Sequence, residues 1–344
     1  MRRTLGPVNR PAPARGIVAI GASAGGIEAL QRLMRELPED LSAAVCLVVH
    51  IPATSRSLLA EIVARQTALP VTAATDGEDL VAGHVYVAPP DRHLRVRAGR
   101  IALDRGPKEN GVRPAIDPLF RSAAAAYGER AIAVVLSGSL SDGAGGAAAV
   151  AAAGGTVLLQ DPDDAVVPSM PASALAAVPG APRHSAPELA DQIARGTDMF
   201  SPLEPEEAPV SAENPGSPLD EVRRTPEGPP VPLTCPECHG PLWELREGEL
   251  LRFRCRVGHT FYEDALLDGK GAAIESALWM ALEALEERAE LFLKLAGRLA
   301  RSGSGESAAR FRERARDAAE RAELVRGVLA IEEEPVDQLR EVVG

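Results

Sequence analysis

Aromatic residues are scarce in this 344-residue chain: six Phe, three Tyr and two Trp make up 3% of it. Any core must therefore be built from methyl-bearing side chains. Ala, Leu and Val supply them, and they bury apolar area as rings do. Positive charge is also short, with 37 Lys and Arg against 49 Asp and Glu, a net charge of −12. That balance argues against nucleic acid and anionic membrane as partners, because phosphate recognition wants a basic surface. No run approaches the roughly 20 apolar residues that span a bilayer. Arg2, Arg3 and Arg10 are not followed by an apolar stretch of signal-peptide length before Gly16. These absences lead us to expect a cytoplasmic protein with no direct membrane insertion. Only four cysteines occur. Cys46 sits in an apolar run and reads as a small buried hydrophobe, while Cys235, Cys238 and Cys255 cluster far downstream.

What is present divides the chain into segments. After a tail over 1–15, residues 16–200 alternate short β-rich runs with helix-like stretches. Strands are expected at Gly16–Ile20, Ala44–Val49, Val85–Ala88, Ala131–Leu136 and Thr156–Leu159, and a hairpin at Leu94–Leu103 turning at Ala98-Gly99. Helices are expected from about Ile27 to Leu37 and from Leu58 to Arg65. Near-continuous apolar strands alternating with helices indicate an α/β fold with a mainly parallel sheet covered on both faces. Residues 201–230 hold eight prolines and seven acidic residues, a composition that cannot bury enough surface to order itself, and read as a linker. Residues 231–268 form a compact Cys/His module. Over 271–334, Ile274, Leu278, Ala281, Leu285, Phe292, Leu295 and Leu299 follow a heptad-like spacing. Beyond the breaker Ser302-Gly303-Ser304-Gly305, so do Ala308, Phe311, Ala315, Ala318, Ala322, Val325 and Leu329. This predicts an antiparallel helical hairpin.

Gly21-Ala22-Ser23-Ala24-Gly25-Gly26 lies between a buried strand and a helix. A dinucleotide fingerprint would need Gly in place of Ser23 and an acidic residue ending the second strand, which ends in His50 instead. A P-loop would need Gly-Lys-Ser/Thr. A nucleophile turn, exposing a serine at the sheet's edge among small neighbours, remains. His50 follows the apolar strand Val45–Val49, and Asp142 follows another, so three strands deliver Ser, His and Asp to the same rim. Hydrolysis at a serine needs that trio: a base for the hydroxyl proton and a carboxylate to fix the imidazole. Taken singly, Ser23 could instead cap a helix, His50 satisfy a loop carbonyl, and Asp142-Gly143 form a turn.

The residues then carry a resemblance. The run from about Gly16 to Ala194 resembles the catalytic domain of the CheB family of chemotaxis receptor glutamate methylesterases. The likeness rests on Gly21–Gly26, His50-Ile-Pro-Ala-Thr-Ser-Arg56-Ser-Leu, Asp76-Gly77-Glu78 and Gly83-His-Val-Tyr-Val-Ala-Pro-Pro-Asp-Arg-His93-Leu. Arg113-Pro114-Ala-Ile-Asp117-Pro-Leu-Phe120, Ser141-Asp142-Gly143-Ala144-Gly145, and Met170-Pro171 with Ala174 complete it. It implies a three-layer α/β/α sandwich and a catalytic triad of Ser23, His50 and Asp142. The reaction implied is hydrolysis of a γ-glutamyl methyl ester on a methylated chemoreceptor through an acyl-enzyme, with glutamine deamidation in some members. No catalytic cofactor is implied. Members often carry Thr after the nucleophile and Met three residues before the Asp, both near the oxyanion region; Ala24 and Ser139 stand there in this chain. The main-chain N–H of Ala24 can still donate, because oxyanion donors are commonly main-chain groups, whereas Ser139 leaves the shape of that pocket open. Such members usually begin with a phosphoacceptor receiver domain. This chain starts about fifteen residues before the first esterase strand, which leads us to expect regulation from elsewhere. His84 and His93 lie in matching motifs, and His84 reads as structural.

Cys235-Pro-Glu-Cys238 and Cys255-Arg-Val-Gly-His259 form two knuckles with three thiols and one imidazole, the donor set of a closed, structural zinc site. His239, adjacent to Cys238, is poorly placed to share that tetrahedron. Trp243, Phe253, Phe261 and Tyr262 would supply the module's small core. The zinc-ribbon-like module and helical hairpin resemble an extension on some stand-alone methylesterase-like proteins, and read as a docking or homo-oligomerisation unit. The competing reading of the whole is a signalling scaffold that keeps the hydrolase domain as a binding surface.

Overall fold

The computed structural model describes residues 12–52, 57–97, 99–200, 228–247 and 250–330. The expected linker over 201–230 lies outside the described residues except for its last three, as does the tail over 1–15 except for its last four. The chain forms two compact units, one up to Leu266 and one from Leu267.

In the first unit, β1 (Ile17–Ala22), β2 (Ala44–Val49), β3 (Val71–Ala73), β4 (Val85–Val87), β7 (Ala131–Val135), β8 (Thr156–Gln160) and β9 (Arg183–His184) form one sheet. Its order is β3-β4-β2-β1-β7-β8-β9, and each pair is parallel. Every residue of β1, β2 and β7 is buried, so both faces are covered and the strands read as unbroken apolar runs. On one face, α1 (Gly26–Glu36) and α6 (Ala186–Asp198) pack Leu30, Leu33, Met34, Leu189 and Ile193 against Val18, Ile20 and Val134. On the other, α3 (Ile116–Tyr127), α4 (Ala144–Ala152) and α5 (Ser169–Ala177) contribute Ile116, Phe120, Ala147, Met170 and Ala174, alongside Cys46. The result is the expected three-layer α/β/α sandwich. The short α2 (Leu59–Ala64) follows β2 on the chain, and β5 (His93–Arg97) pairs with β6 (Arg100–Asp104) as the expected hairpin.

Strand order reverses beside β1, whose neighbours are β2 on one side and β7 on the other. The carboxyl ends of adjacent parallel strands at such a reversal leave the crevice where open α/β sheets place their ligands.

The first unit also contains the Cys/His module, an antiparallel sheet of β10 (Val231–Thr234), β11 (Pro241–Glu247), β12 (Leu250–Cys255) and β13 (Thr260–Tyr262). Trp243, Phe253, Phe261 and Tyr262 are buried in it as the sequence suggested. In the second unit lie most of α7 (Glu263–Arg301) and all of α8 (Gly305–Leu329). The buried positions of α8 follow the expected spacing through Ala308, Ala315, Ala318 and Ala322. The seam of α7 departs from it. Leu282 and Ala296 are buried in place of Ala281 and Leu295, and Ile274 is exposed. Leu278, Leu282, Leu285, Ala289, Phe292, Ala296 and Leu299 thus form the seam, with alternating steps of three and four that keep one face of the helix packed. Phe292 and Phe311 meet at 5.9 Å. Among the described residues no helix is long and apolar enough to cross a membrane.

Candidate active site

Ser23 follows β1, His50 follows β2 and Asp142 follows β7, the three adjacent strands at the reversal. Their side chains meet. His50 Nδ1 lies 3.0 Å from Ser23 Oγ, and His50 Nε2 lies 2.7 Å from Asp142 Oδ2. With Nε2 protonated, the imidazole donates to the carboxylate and offers Nδ1 as acceptor for the serine proton. Ser23 does not cap α1: the N-cap is Gly25, and no side chain caps that helix.

The turn holding Ser23 is tightly built. Ser23 N–H donates to Ser137 C=O at 2.9 Å, and Ser137 Oγ donates to Ala24 C=O at 2.9 Å. Gly25 has φ +68°, and a Cβ there would lie 2.6 Å from Val166 Cβ, so both backbone and space require glycine. Gly138 lies directly beneath the nucleophile: its Cβ would fall 2.8 Å from Ser23 Cβ and 2.0 Å from Met170 Sδ. Ala24 is exposed and Ser139 half-buried beside this turn.

Asp142 is buried and receives four donors. Oδ2 accepts from His50 and from Ile116 N–H at 2.6 Å; Oδ1 accepts from Asn110 Nδ2 at 3.0 Å and Asp117 N–H at 3.3 Å. Ile116 and Asp117 open α3, which has no side-chain cap of its own. Asp142 thus takes the place of the cap, and the helix N-terminus adds its positive end to the site. Burial works against the Asp142 charge, but the bonds from His50, Ile116 and Asn110 outweigh it and hold its pKa below the ordinary carboxylate value. The neighbouring Asp117 is pushed the other way, first by burial and then by the Asp142 charge. Its Oδ1 accepts Gly146 N–H at 2.6 Å.

Beside His50 a cleft of about 290 Å³ opens, walled by Ile51, Pro52, Lys108, Val112 and Arg113. Arg113 Nε donates to Asp91 at 2.9 Å, which lowers the Asp91 pKa, and its Nη1 donates to Gly106 C=O at 2.6 Å. Of the segment after His50 quoted above, Ala53–Arg56 lie outside the described residues.

Asn110 was not singled out by sequence reasoning, and the amino end of α3, quoted there within Arg113–Phe120, was given no role of its own. His93 is fully buried. Its Nε2–H donates to Pro107 C=O at 2.9 Å and its Nδ1 accepts Ala115 N–H at 3.3 Å, tying together both ends of the loop that carries Asn110. His84 stacks on Tyr86 at 4.4 Å and bonds Thr72 at 2.9 Å, away from the triad.

In the module, one donor atom from each of Cys235, Cys238, Cys255 and His259 lies within 4.8 Å of the other three. Cys238 Sγ and Cys255 Sγ are 3.6 Å apart, and His259 Nδ1 lies 3.7 Å from Cys235 Sγ and 3.6 Å from Cys255 Sγ. Bonds of about 2.3 Å to sulfur and 2.0–2.1 Å to nitrogen give tetrahedron edges of roughly 3.5–3.8 Å, so the donors fit a four-coordinate metal. His239 stands outside the group and donates its N–H to Cys235 C=O at 2.8 Å.

A family model for the CheB methylesterase matches residues 18–193, about half the chain. The chain belongs to the CheB methylesterase family. A protein-glutamate methylesterase/protein-glutamine glutaminase of Xanthomonas oryzae is 43% identical over 162 residues, covering 46% of this chain and 45% of that one. One of the same name from Myxococcus xanthus is 41% identical over 186 residues, covering 54% and 52%. The chain therefore spans about half the length of these relatives. The crystal structure of the Thermotoga maritima CheB methylesterase catalytic domain superposes with a TM-score of 0.50 at 35% identity, covering 52% of this chain and 97% of that domain. Ser23, His50 and Asp142 of this CheB family chain all fall inside the matched residues.

Proposed function

We propose that the chain is a serine hydrolase that removes methyl groups from γ-methyl esters of glutamate side chains on a chemoreceptor-like protein, with glutamine deamidation as the sister reaction. The observation that carries this reading is the continuous hydrogen-bonded path from Ser23 through His50 to a buried Asp142 at the rim of three adjacent strands. Ser23 Oγ attacks the ester carbonyl carbon as His50 Nδ1 takes its proton, and the developing oxyanion is received by main-chain N–H groups of the turn, that of Ala24 first, next to Ser139. Collapse breaks the C–O bond to the methoxy group, which leaves as methanol with the proton from His50. Water, activated by the same imidazole, then releases glutamate and restores Ser23. Asp142 keeps Nε2 protonated and stabilises the imidazolium.

The donor set Cys235, Cys238, Cys255 and His259 supports a structural zinc ion that would hold the two knuckles together and take no part in hydrolysis, since four protein ligands leave no open position. Trp279, Met280, Leu291 and Leu324, exposed on the two C-terminal helices, are where this reading places contact with a partner protein or a second copy. It places the protein in the cytoplasm, where receptor esters would be reached.

Methanol release from a peptide bearing glutamate γ-methyl ester, compared between wild type and Ser23→Ala, tests the activity. Loss of at least about a thousandfold in the variant is expected; equal release from both would overturn the assignment.

A further inference from the structure

The Cys/His module is built against the two loops that support Asp142. Strand β13 runs alongside the loop after Pro107: Thr260 N–H donates to Lys108 C=O at 3.3 Å, and Asn110 N–H donates to Thr260 C=O at 2.7 Å. Tyr262 N–H then donates to the Asn110 side-chain Oδ1 at 3.1 Å. That last bond settles which way the amide faces. With Oδ1 occupied by a donor, Nδ2 points to Asp142 Oδ1 at 3.0 Å and, more distantly, to Asp117 at 3.5 Å. Asn110 holds a left-handed φ of +52°, a conformation asparagine tolerates better than most residues.

The loop carrying Asp142 is held from the same side. Leu140 has φ +62°, a strained value for a branched side chain, and packs against the module's apolar core of Leu242, Phe253, Phe261 and Leu266. Ser141 Oγ donates to Asp264 Oδ1 at 2.6 Å, and Asp264 lies in the first turn of α7. Around these contacts Glu109 is buried among cations. Burial alone would raise its pKa, but Arg121, then Arg252 of the module and Arg95, hold it well below the carboxylate range. Arg252 reaches it at 3.1 Å, and Lys108 reaches Glu237 at 2.8 Å.

Resting on the proposed triad, we infer that the Cys/His module is a working part of the active site: through Asn110, and through Leu140 and Ser141, it positions the carboxylate of Asp142. Asn110 is the positioning residue at the centre of this arrangement. It converts a main-chain N–H of the module into a directed N–H on the catalytic carboxylate. A module that merely tethered the chain to a partner would need none of these contacts.

The test uses the full chain and four variants. Asn110→Asp keeps volume and the acceptor for Tyr262 N–H but turns an acceptor toward Asp142. Asn110→Gly keeps the backbone conformation and removes the amide. Asp264→Ala removes the acceptor for Ser141, while Asp264→Asn retains an Oδ1 that still accepts. The readouts are kcat and KM for methanol release from the γ-methyl ester peptide, the chemical shift of the His50 ring N–H that faces Asp142, and thermal melting as a control for folding.

Loss of a hydrogen bond to a charged group corresponds to about a tenfold to hundredfold fall in rate. We expect a fall of that order in kcat, with KM unchanged, for both Asn110 variants. A few-fold fall is expected for Asp264→Ala, with recovery in Asp264→Asn. The His50 N–H resonance should move in Asn110→Asp and in Asp264→Ala. Unchanged kcat and an unmoved resonance in folded Asn110→Asp and Asp264→Ala would overturn the inference while a Ser23-dependent wild type left the hydrolase reading intact. If the wild type releases no methanol, the hydrolase reading fails, and the resonance alone decides whether the module positions Asp142.

Discussion

Replacing Gly138 by alanine adds one methyl group at the most crowded point of the site. The new Cβ would lie 2.0 Å from Met170 Sδ, 2.8 Å from Ser23 Cβ and 3.0 Å from Met170 Cε, where ordinary contact begins at 3.4 Å. The backbone has no slack to give, because Gly138 N–H donates to Val167 C=O at 3.0 Å and its carbonyl accepts Met170 N–H at 2.9 Å. Met170 is 1% exposed and packed in the core, so its retreat costs about 1–3 kcal/mol as overpacking. Ser23 must also shift, by roughly half an ångström, and a displacement of that order lowers turnover by about tenfold to a hundredfold. Urea denaturation and methanol release measure the two effects. Adding Met170→Ala relieves the sulfur clash but not the clash with Ser23. The double variant should therefore recover about 1 kcal/mol or more relative to additivity while its kcat stays low. Wild-type stability and turnover in Gly138→Ala would refute the packing account of this turn.

Other expectations follow from the same geometry. In Asp142→Asn, either orientation of the amide sets its NH2 against two donors, His50 and Ile116 or Asn110 and Asp117; kcat for methanol release should fall by about a thousandfold or more with the fold retained in circular dichroism. Because the native pKa of Asp142 is depressed, its contribution to stability is present above the unfolded carboxylate pKa and lost as pH falls through the native value; acid denaturation of the same variant should lack that component. His93, whose pKa burial pushes down, binds its proton more readily in the unfolded chain. Stability should thus decline as pH falls below about 6.5, and His93→Asn should flatten that part of a stability-versus-pH curve. Cys238→Ser should abolish binding of about one zinc per chain in metal analysis and lower the melting temperature; a clean, folded wild type devoid of metal would contradict the zinc reading.

The grouping of Ser23, His50 and Asp142 was legible because each follows an apolar strand, the first two directly and Asp142 after a short loop, and a parallel sheet brings such positions to one rim. The Cys/His cluster was legible because two short knuckles leave their side chains few alternatives to meeting. Strands β3 and β9 escaped notice because they are short and lie at or next to the sheet's margins, where Val71-Thr72-Ala73 and Arg183-His184 need no unbroken apolar run. Asn110 escaped for a different reason. Its meaning lies in partners 32 and 152 residues away, and a loop residue carries no periodicity that announces them. The shifted seam of α7 has the same origin: Leu295 satisfies hydrophobic counting, but the buried position is the smaller Ala296.

The central claim is that Ser23 is a nucleophile made reactive by His50. A fluorophosphonate probe, followed by peptide mapping of the labelled full chain, tests it most directly. The account predicts a single phosphonylated serine, Ser23, with labelling slowed by at least about a hundredfold in His50→Ala. Label on another serine such as Ser139, or equal labelling rates in the two proteins, would contradict it.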